Sequence, residues 1–250
     1  MRSFLQALAL GAAALTLVGP TQAGTTTIDF DSGLDTSAVL FPPFLVHNDV
    51  LVQDVYAVGM ASTKVGAQDG DLVGALIDGN DVANTCSGVK CPTNNATQFL
   101  GLLNDGLPYI ARLDGGLFGI KSFDAGFIAS NLDTVPTTAM LLRVYGFMAD
   151  GSNVYEDALL PGPTNGIYSF GTYTLSDAFA AMAFAEVDFY GYACNAAGNC
   201  SRANDKAQFG LDNIVLDDMT QSVPEPGSLA LVGLAMAGLI GMRRRRQRGV

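Results

Sequence analysis

The sequence predicts an all-β protein: a jelly-roll-like β-sandwich between an N-terminal signal peptide and one C-terminal transmembrane helix. Three observations carry the sandwich. Short apolar runs recur along the chain, and Gly, Asn, Asp and Pro punctuate them at close intervals. Sustained helical periodicity is absent outside the two terminal segments. The chain holds 29 glycines and no tryptophan. The glycines suit tight turns, and the missing tryptophan argues against an immunoglobulin domain, where a buried Trp is a hallmark. No repeat recurs at a fixed period, which sets aside solenoids and propellers.

Residues 1–23 read as the signal peptide. Arg2 supplies the positive start, Phe4 to Val18 is almost wholly apolar, and Ala23 is a small residue before the expected cut. A permanent signal anchor is the alternative, disfavoured by the shortness of the run. Residues 24–222 form the exported body. It keeps seven basic side chains against 23 acids, a net charge of −16. Nucleic-acid binding needs basic surface to neutralise phosphates, so no nucleic-acid partner is expected.

The strand candidates, in order, are "TTTIDF", "DVLVQDVYAV", "LVGALI", "TQFLGLL", "PYIARL", "GLFGIKSF", "TAMLLRVYGF", "GIYSFGTYTL", "AFAEVDFYGYAC" and "AQFGLDNIVL". No helix is expected in the body. Cys86 and Cys91, and Cys194 and Cys200, form two tight pairs in loop-like stretches. After export two local disulfides are the natural reading. Other pairings remain open, and metal ligation is the runner-up.

One strand is unusually informative. Strict alternation over "AFAAMAFAEVDFYGYAC" puts Phe179, Ala181, Ala183, Ala185, Val187 and Phe189 on one face. Met182, Phe184, Glu186, Asp188, Tyr190 and Tyr192 share the other. Arg143, Tyr145 and Phe147 share a face of "LLRVYGF" in the same way. Carboxylates beside tyrosines could line a sugar-binding surface, with Glu186, Asp188, Tyr190 and Tyr192 as contacts. An ordinary half-solvated sheet face is the plain alternative.

No catalytic residues are expected. His47 is the sole histidine, it has no nucleophile elbow to serve, and no phosphate-binding glycine loop is present. A glycoside hydrolase would need only two carboxylates, but nothing singles out a pair. No cofactor is required. Calcium is the one metal expectation, because Asp, Asn and turn carbonyls supply oxygen ligands. Asp29, Asp31 and Asp212 pair the two ends of the body. The stretch "FGLDNIVLDD" resembles the closing strand of many jelly-roll carbohydrate-binding modules. In those an aspartate at the place of Asp212 often helps hold a structural calcium beside the first strand. Turn chemistry, in which Asx side chains bond their own backbone, is the alternative.

Residues 223–250 combine Val223, Pro224, Glu225 and Pro226, an uncharged run from Gly227 to Met242, and a basic tail of Arg243, Arg244, Arg245, Arg246 and Arg248. As a helix the run spans about 24 Å, slightly short for a bilayer core of about 30 Å. The arginines would stay cytoplasmic. This order of motif, helix and basic tail resembles a PEP-CTERM sorting signal. The resemblance implies a Gram-negative, exopolysaccharide-producing host and an exosortase that recognises the motif and releases or transfers the cargo. A permanent single-pass anchor remains the physical alternative. The body, through "GDLVGALIDG", "CPTNNAT", "GLLNDG" and "AQFGLDNI", resembles PEP-CTERM cargo proteins without assigned activity.

The expectation is thus an exported, non-enzymatic protein. Its precursor is anchored in the inner membrane, and the product is sorted to the cell surface or extracellular matrix. Its role is structural or adhesive and associated with extracellular polysaccharide. A carbohydrate-binding module with a calcium-stabilised jelly roll is the alternative, followed by a glycoside hydrolase.

Overall fold

The computed structural model describes residues 24–130, 135–136, 138–202 and 206–219. The signal peptide and the 223–250 segment, with its expected membrane helix, lie outside the described residues. Among the described residues no helix is long and apolar enough to cross a membrane.

The chain folds as alternating strands and turns. In order the strands are β1 (Thr25–Ile28), β2 (Leu34–Asp35), β3 (Phe44–Val46), β4 (Val50–Gln53), β5 (Tyr56–Ser62), β6 (Leu72–Asp78), β7 (Val89–Lys90) and β8 (Gln98–Leu102). There follow β9 (Gly106–Arg112), β10 (Leu117–Ser130), β11 (Thr138–Phe147), β12 (Asn153–Pro161), β13 (Gly171–Thr174), β14 (Glu186–Cys194), β15 (Cys200–Ser201) and β16 (Gln208–Met219). They build two sheets. One has the order β13-β10-β16-β8-β6-β3, with β1 added on β16 and β7 on β10. The other runs β12-β11-β14-β9-β5-β4-β2, with β15 on β14.

The sheets pack face to face because their inner residues are apolar at every second position. On β11, Leu142 and Val144 are fully buried while Arg143, Tyr145 and Phe147 stay partly exposed. Rings from opposite sheets meet edge to face in the core. Tyr56 of β5 lies 5.4 Å from Phe118 of β10, and Phe123 of β10 lies 5.1 Å from Phe189 of β14. Each buried Phe contributes about 2–3 kcal/mol. Among the described residues the core draws on residues from Ile28 to Leu216.

The ends of the sandwich differ. Gly24 O accepts from Asp218 N at 2.9 Å, and Leu117 pairs with Met219, so both chain ends of the body share one end. At the other end, β7 pairs with Ala129 and Ser130, and Cys194 lines a cavity with the same two residues. Both disulfides, Cys86–Cys91 and Cys194–Cys200, form as local staples. Loops this short remove little unfolded-state entropy, roughly 2 kcal/mol or less each.

Four expectations need correction. The long alternating strand across 178–194 is not continuous: β14 begins only at Glu186. Before it, Asp177–Ala180 forms a helical turn, α2, just as Val82–Thr85 forms an earlier one, α1. So the body is not free of helix. Ser176 caps α2, its hydroxyl accepting from Phe179 N at 3.3 Å, and the turn resets the alternation. Phe184 is therefore fully buried, bridged to Phe118, and does not share the outer face with Tyr190. In "GIYSFGTYTL" only β13 is strand, since Thr164–Ile167 closes a tight turn with Asn165 and Gly166 at positive φ. Finally, β12 was absent from the expected strands.

A tyrosine-lined sheet face and a buried aspartate as candidate functional sites

The outer face of the second sheet gathers the residues singled out on "DFYGY" and "LLRVYGF". Antiparallel register sets Tyr190 opposite Arg143, Asp188 opposite Tyr145 and Glu186 opposite Phe147. Residues opposite one another share a face, so one row crosses four strands: Tyr109 of β9, Asp188 of β14, Tyr145 of β11 and Tyr155 of β12. The next row holds Tyr190, Arg143 and Asp157. Tyr109 lies over Gly59 of β5, where a Cβ would run into the ring.

The rings support one another. Tyr145 is the hub, with centroids 5.2 Å from Tyr190, 5.5 Å from Tyr155 and 6.1 Å from Phe147. Arg143 grips Asp157 through two bonds of 2.6 and 2.8 Å. Its guanidinium rests 3.9 Å from the Tyr155 ring centroid and 5.5 Å from that of Tyr192. From the other side of β14, Arg202 lies 5.2 Å over Tyr190. Burial lifts the Tyr109, Tyr190 and Tyr192 hydroxyls above their ordinary range, so they remain hydrogen-bond donors at neutral pH.

Asp188 is the buried acid in this surface, only 6% exposed. Its Oδ1 has no hydrogen-bond partner among the described residues. Burial first, and then Glu186, push its carboxyl up to about 7. The unfolded chain releases this proton near 3.8, the folded protein near 7. Between those values the folded state holds the extra proton, so rising pH removes stability, and the loss is complete above about 7. Asp188→Asn is therefore expected to melt higher than the parent at pH 8, with an advantage that shrinks as the pH falls. Calorimetry at pH 8 and pH 4 checks this; an equal or lower melting temperature at pH 8 would contradict it.

The expected calcium residues divide. Asp212 of β16 is fully buried, its Oδ2 accepting from Asn95 Nδ2 at 2.6 Å and its Oδ1 from Asn213 N at 2.8 Å. The β10–β16 ladder slips at Ser122 and Asp124, and Asn213 takes a φ of 47°, a bulge conformation that Asn tolerates. Burial, reinforced by Asp31 and Asp124, lifts the Asp212 carboxyl to about 6. Asp31 accepts from Gln98 N at 2.7 Å, and Asp124 accepts from Asn213 Nδ2 at 2.9 Å. Asp29 instead turns to Gln53 Nε2 at 2.5 Å; burial opposes, but this and backbone bonds hold its carboxyl below the ordinary range. Among the described residues no group of three or more His, Cys, Asp or Glu is gathered around a metal position.

Sequence reasoning missed Tyr109, Tyr155, Asp157 and Arg202. The first three lie across the sheet, out of reach of any single-strand pattern. A hairpin turn at "ADGSN" pairs β11 with the strand after it, and that signal could have found Tyr155 and Asp157. Nothing local marks Arg202.

Residues 222–246 match the PEP-CTERM protein-sorting motif. This stretch contains Val223–Pro226 and Arg243–Arg246, and it marks the chain for export and exosortase-type processing. No curated protein matches the chain. In structure it is similar to a DUF4465 family protein from Bacteroides caccae ATCC 43185, with 14% identity, a TM-score of 0.45, and coverage of 78% of this chain and 99% of that one. It is also similar to TmCBM61 in complex with β-1,4-galactotriose, with 7% identity, TM-score 0.31, and coverage of 64% and 86%. A third is the CBM22-2 xylan-binding domain from Paenibacillus barcinonensis Xyn10C, with 10% identity, TM-score 0.34, and coverage of 78% and 99%.

Proposed function

We propose that this PEP-CTERM-tagged chain is a non-enzymatic surface or matrix protein that holds extracellular polysaccharide on its tyrosine-lined face. The row Tyr109–Asp188–Tyr145–Tyr155, continued by Tyr190 and Arg143, carries the reading. Sugar rings present C–H faces and hydroxyls together, and this surface offers both partners. Tyrosine rings pack against the former. Tyrosine hydroxyls and the acids beside them bond the latter. Mutual ring contacts hold the side chains in place before a ligand arrives, which lowers the cost of ordering them on binding. Pull-down on insoluble polysaccharide, compared between the parent and Tyr190→Ala/Tyr192→Ala, tests it. Absence of glycan binding by the parent would return the body to a scaffold role.

Before processing, the Gly227–Met242 run would hold the precursor in the inner membrane. The mature chain from the native host is therefore expected to lack the arginine tail. Intact-mass measurement checks this, and a mature chain that still carries Arg243–Arg248 would count for a permanent anchor.

A structural calcium is a second element of the proposal, favoured by the complete burial of Asp212 near Asp31 and Asp124 with no basic partner among the described residues. Asp212 and Asp31, with amide and backbone oxygens, would hold the ion. It would neutralise the buried carboxylate and tie the chain after β1 to β16. Chelation with EDTA is then expected to lower the melting temperature of the body. An unchanged melting curve would sink the idea.

A further inference from the structure

Three of the seven basic side chains of this acidic body sit in ion pairs among the described residues. Arg112, Lys121 and Arg143 each pair with an aspartate. Arg202 differs. It is exposed, no ion pair joins it to a carboxylate among the described residues, and its guanidinium lies over Tyr190. Arg143 approaches the adjacent Tyr192 from the opposite strand. Two guanidinium groups thus bracket the Tyr190–Tyr192 pair, and one of them has no carboxylate on its fork among the described residues. Of the acids of the face, Asp157 is taken by Arg143, and Asp188, two residues from Tyr190, is buried. Glu186 is six residues from Tyr192 along β14, about 20 Å at the usual strand rise.

Resting on the reading of this face as a saccharide surface, we infer that its ligand carries carboxylate groups and that Arg202 reads them. The class is a polyuronate or another carboxylate-bearing glycan. A neutral glycan could accept hydrogen bonds from this guanidinium but would leave its charge unanswered. An anionic polymer meeting a body of net charge −16 needs a local cation to overcome the repulsion. Arginine suits that role, since its planar fork binds a carboxylate through two parallel bonds while its face stays on the tyrosine. A uronate ring stacked beside Tyr190 and Tyr192 would bring its carboxylate to that fork. The sulfate of a sulfated glycan is a much weaker base than a carboxylate and so a weaker acceptor for the same fork.

The test compares polygalacturonate, its methyl ester and dextran sulfate as probes, with the parent protein and Arg202→Gln. The parent is expected to bind polygalacturonate at least fivefold more tightly than the ester and than dextran sulfate. Arg202→Gln should erase the preference over the ester. Arg202 is exposed, so the variant should fold; an unchanged melting temperature confirms that. Equal binding of acid and ester by the parent would overturn this inference and leave the saccharide reading standing. Equal binding of polygalacturonate and dextran sulfate would overturn it in favour of general polyanion attraction. A preference that survives in Arg202→Gln would also overturn it. Binding to none of the probes nor to the host's own polysaccharide would remove the saccharide reading itself.

Discussion

Replacing Arg112 with alanine is expected to lower the unfolding free energy by about 2–3 kcal/mol. Arg112 ends β9 and pairs in register with the fully buried Tyr56 of β5. Its guanidinium bonds Asp218 of β16, in the opposite sheet, and holds Asp114 through a second pair at 2.8 Å. Tyr56 donates to the same Asp218 oxygen at 2.8 Å. The network is a clamp between the two sheets, set on the strand that leads into the sorting segment. Bonds to Asp114, against the opposing effect of burial, keep the guanidinium firmly charged; the same bonds hold Asp114 well below the usual carboxylate range. Without the arginine, Asp218 keeps a largely covered negative charge answered only by a phenol. Arg112→Lys should recover less than half of the loss, because an ammonium cannot serve both aspartates in one plane. Urea unfolding at pH 7 measures the difference. A loss under 0.5 kcal/mol, on the order of an ordinary surface substitution, would mean the clamp is solvated and contributes little.

The second large effect concerns the tyrosine face. Tyr190→Ala/Tyr192→Ala is expected to weaken polysaccharide binding at least tenfold, about 1.4 kcal/mol or more. Both rings are only partly covered, so most of the loss should fall on ligand packing and little on folding. Tyr145→Ala should reach further. Tyr145 touches Phe147, Tyr155 and Tyr190, so its removal frees rings that would otherwise meet the ligand in a fixed arrangement. Equilibrium binding by affinity electrophoresis separates the variants. Equal retardation of parent and double variant would show that the ligand binds elsewhere.

Strand physics decides how far the sequence foretold this surface. β11 alternates cleanly from Leu141 on between buried and half-exposed residues, so its faces could be read one residue at a time. β14 blurs, since Asp188 is buried along with Val187 and Phe189. β12 could not be read that way. "NVYEDALLP" lies at the sheet edge, where Val154 and Ala158 are only partly buried, and two adjacent acids blur the alternation. The phase error at Phe184 has a different origin. Ser176 nucleates a helical turn that no periodicity signal reveals, and the chain enters β14 afresh after it. Asp212 was legible as an acid near the chain end of the body. Its burial was not, because that depends on Asn95, which is 117 residues away in sequence. The sorting motif needed no tertiary information at all, since its order of residues is itself the signal.

The most direct test of the saccharide reading is an NMR titration of the folded body, residues 24–219, with oligosaccharides cut from the host's own extracellular polymer. The account predicts amide shifts clustered on β11, β12 and β14, around Tyr145, Tyr155, Tyr190 and Arg202. Shifts confined to the opposite sheet or to the cavities beside the two disulfides, or no shifts at any concentration, would contradict it.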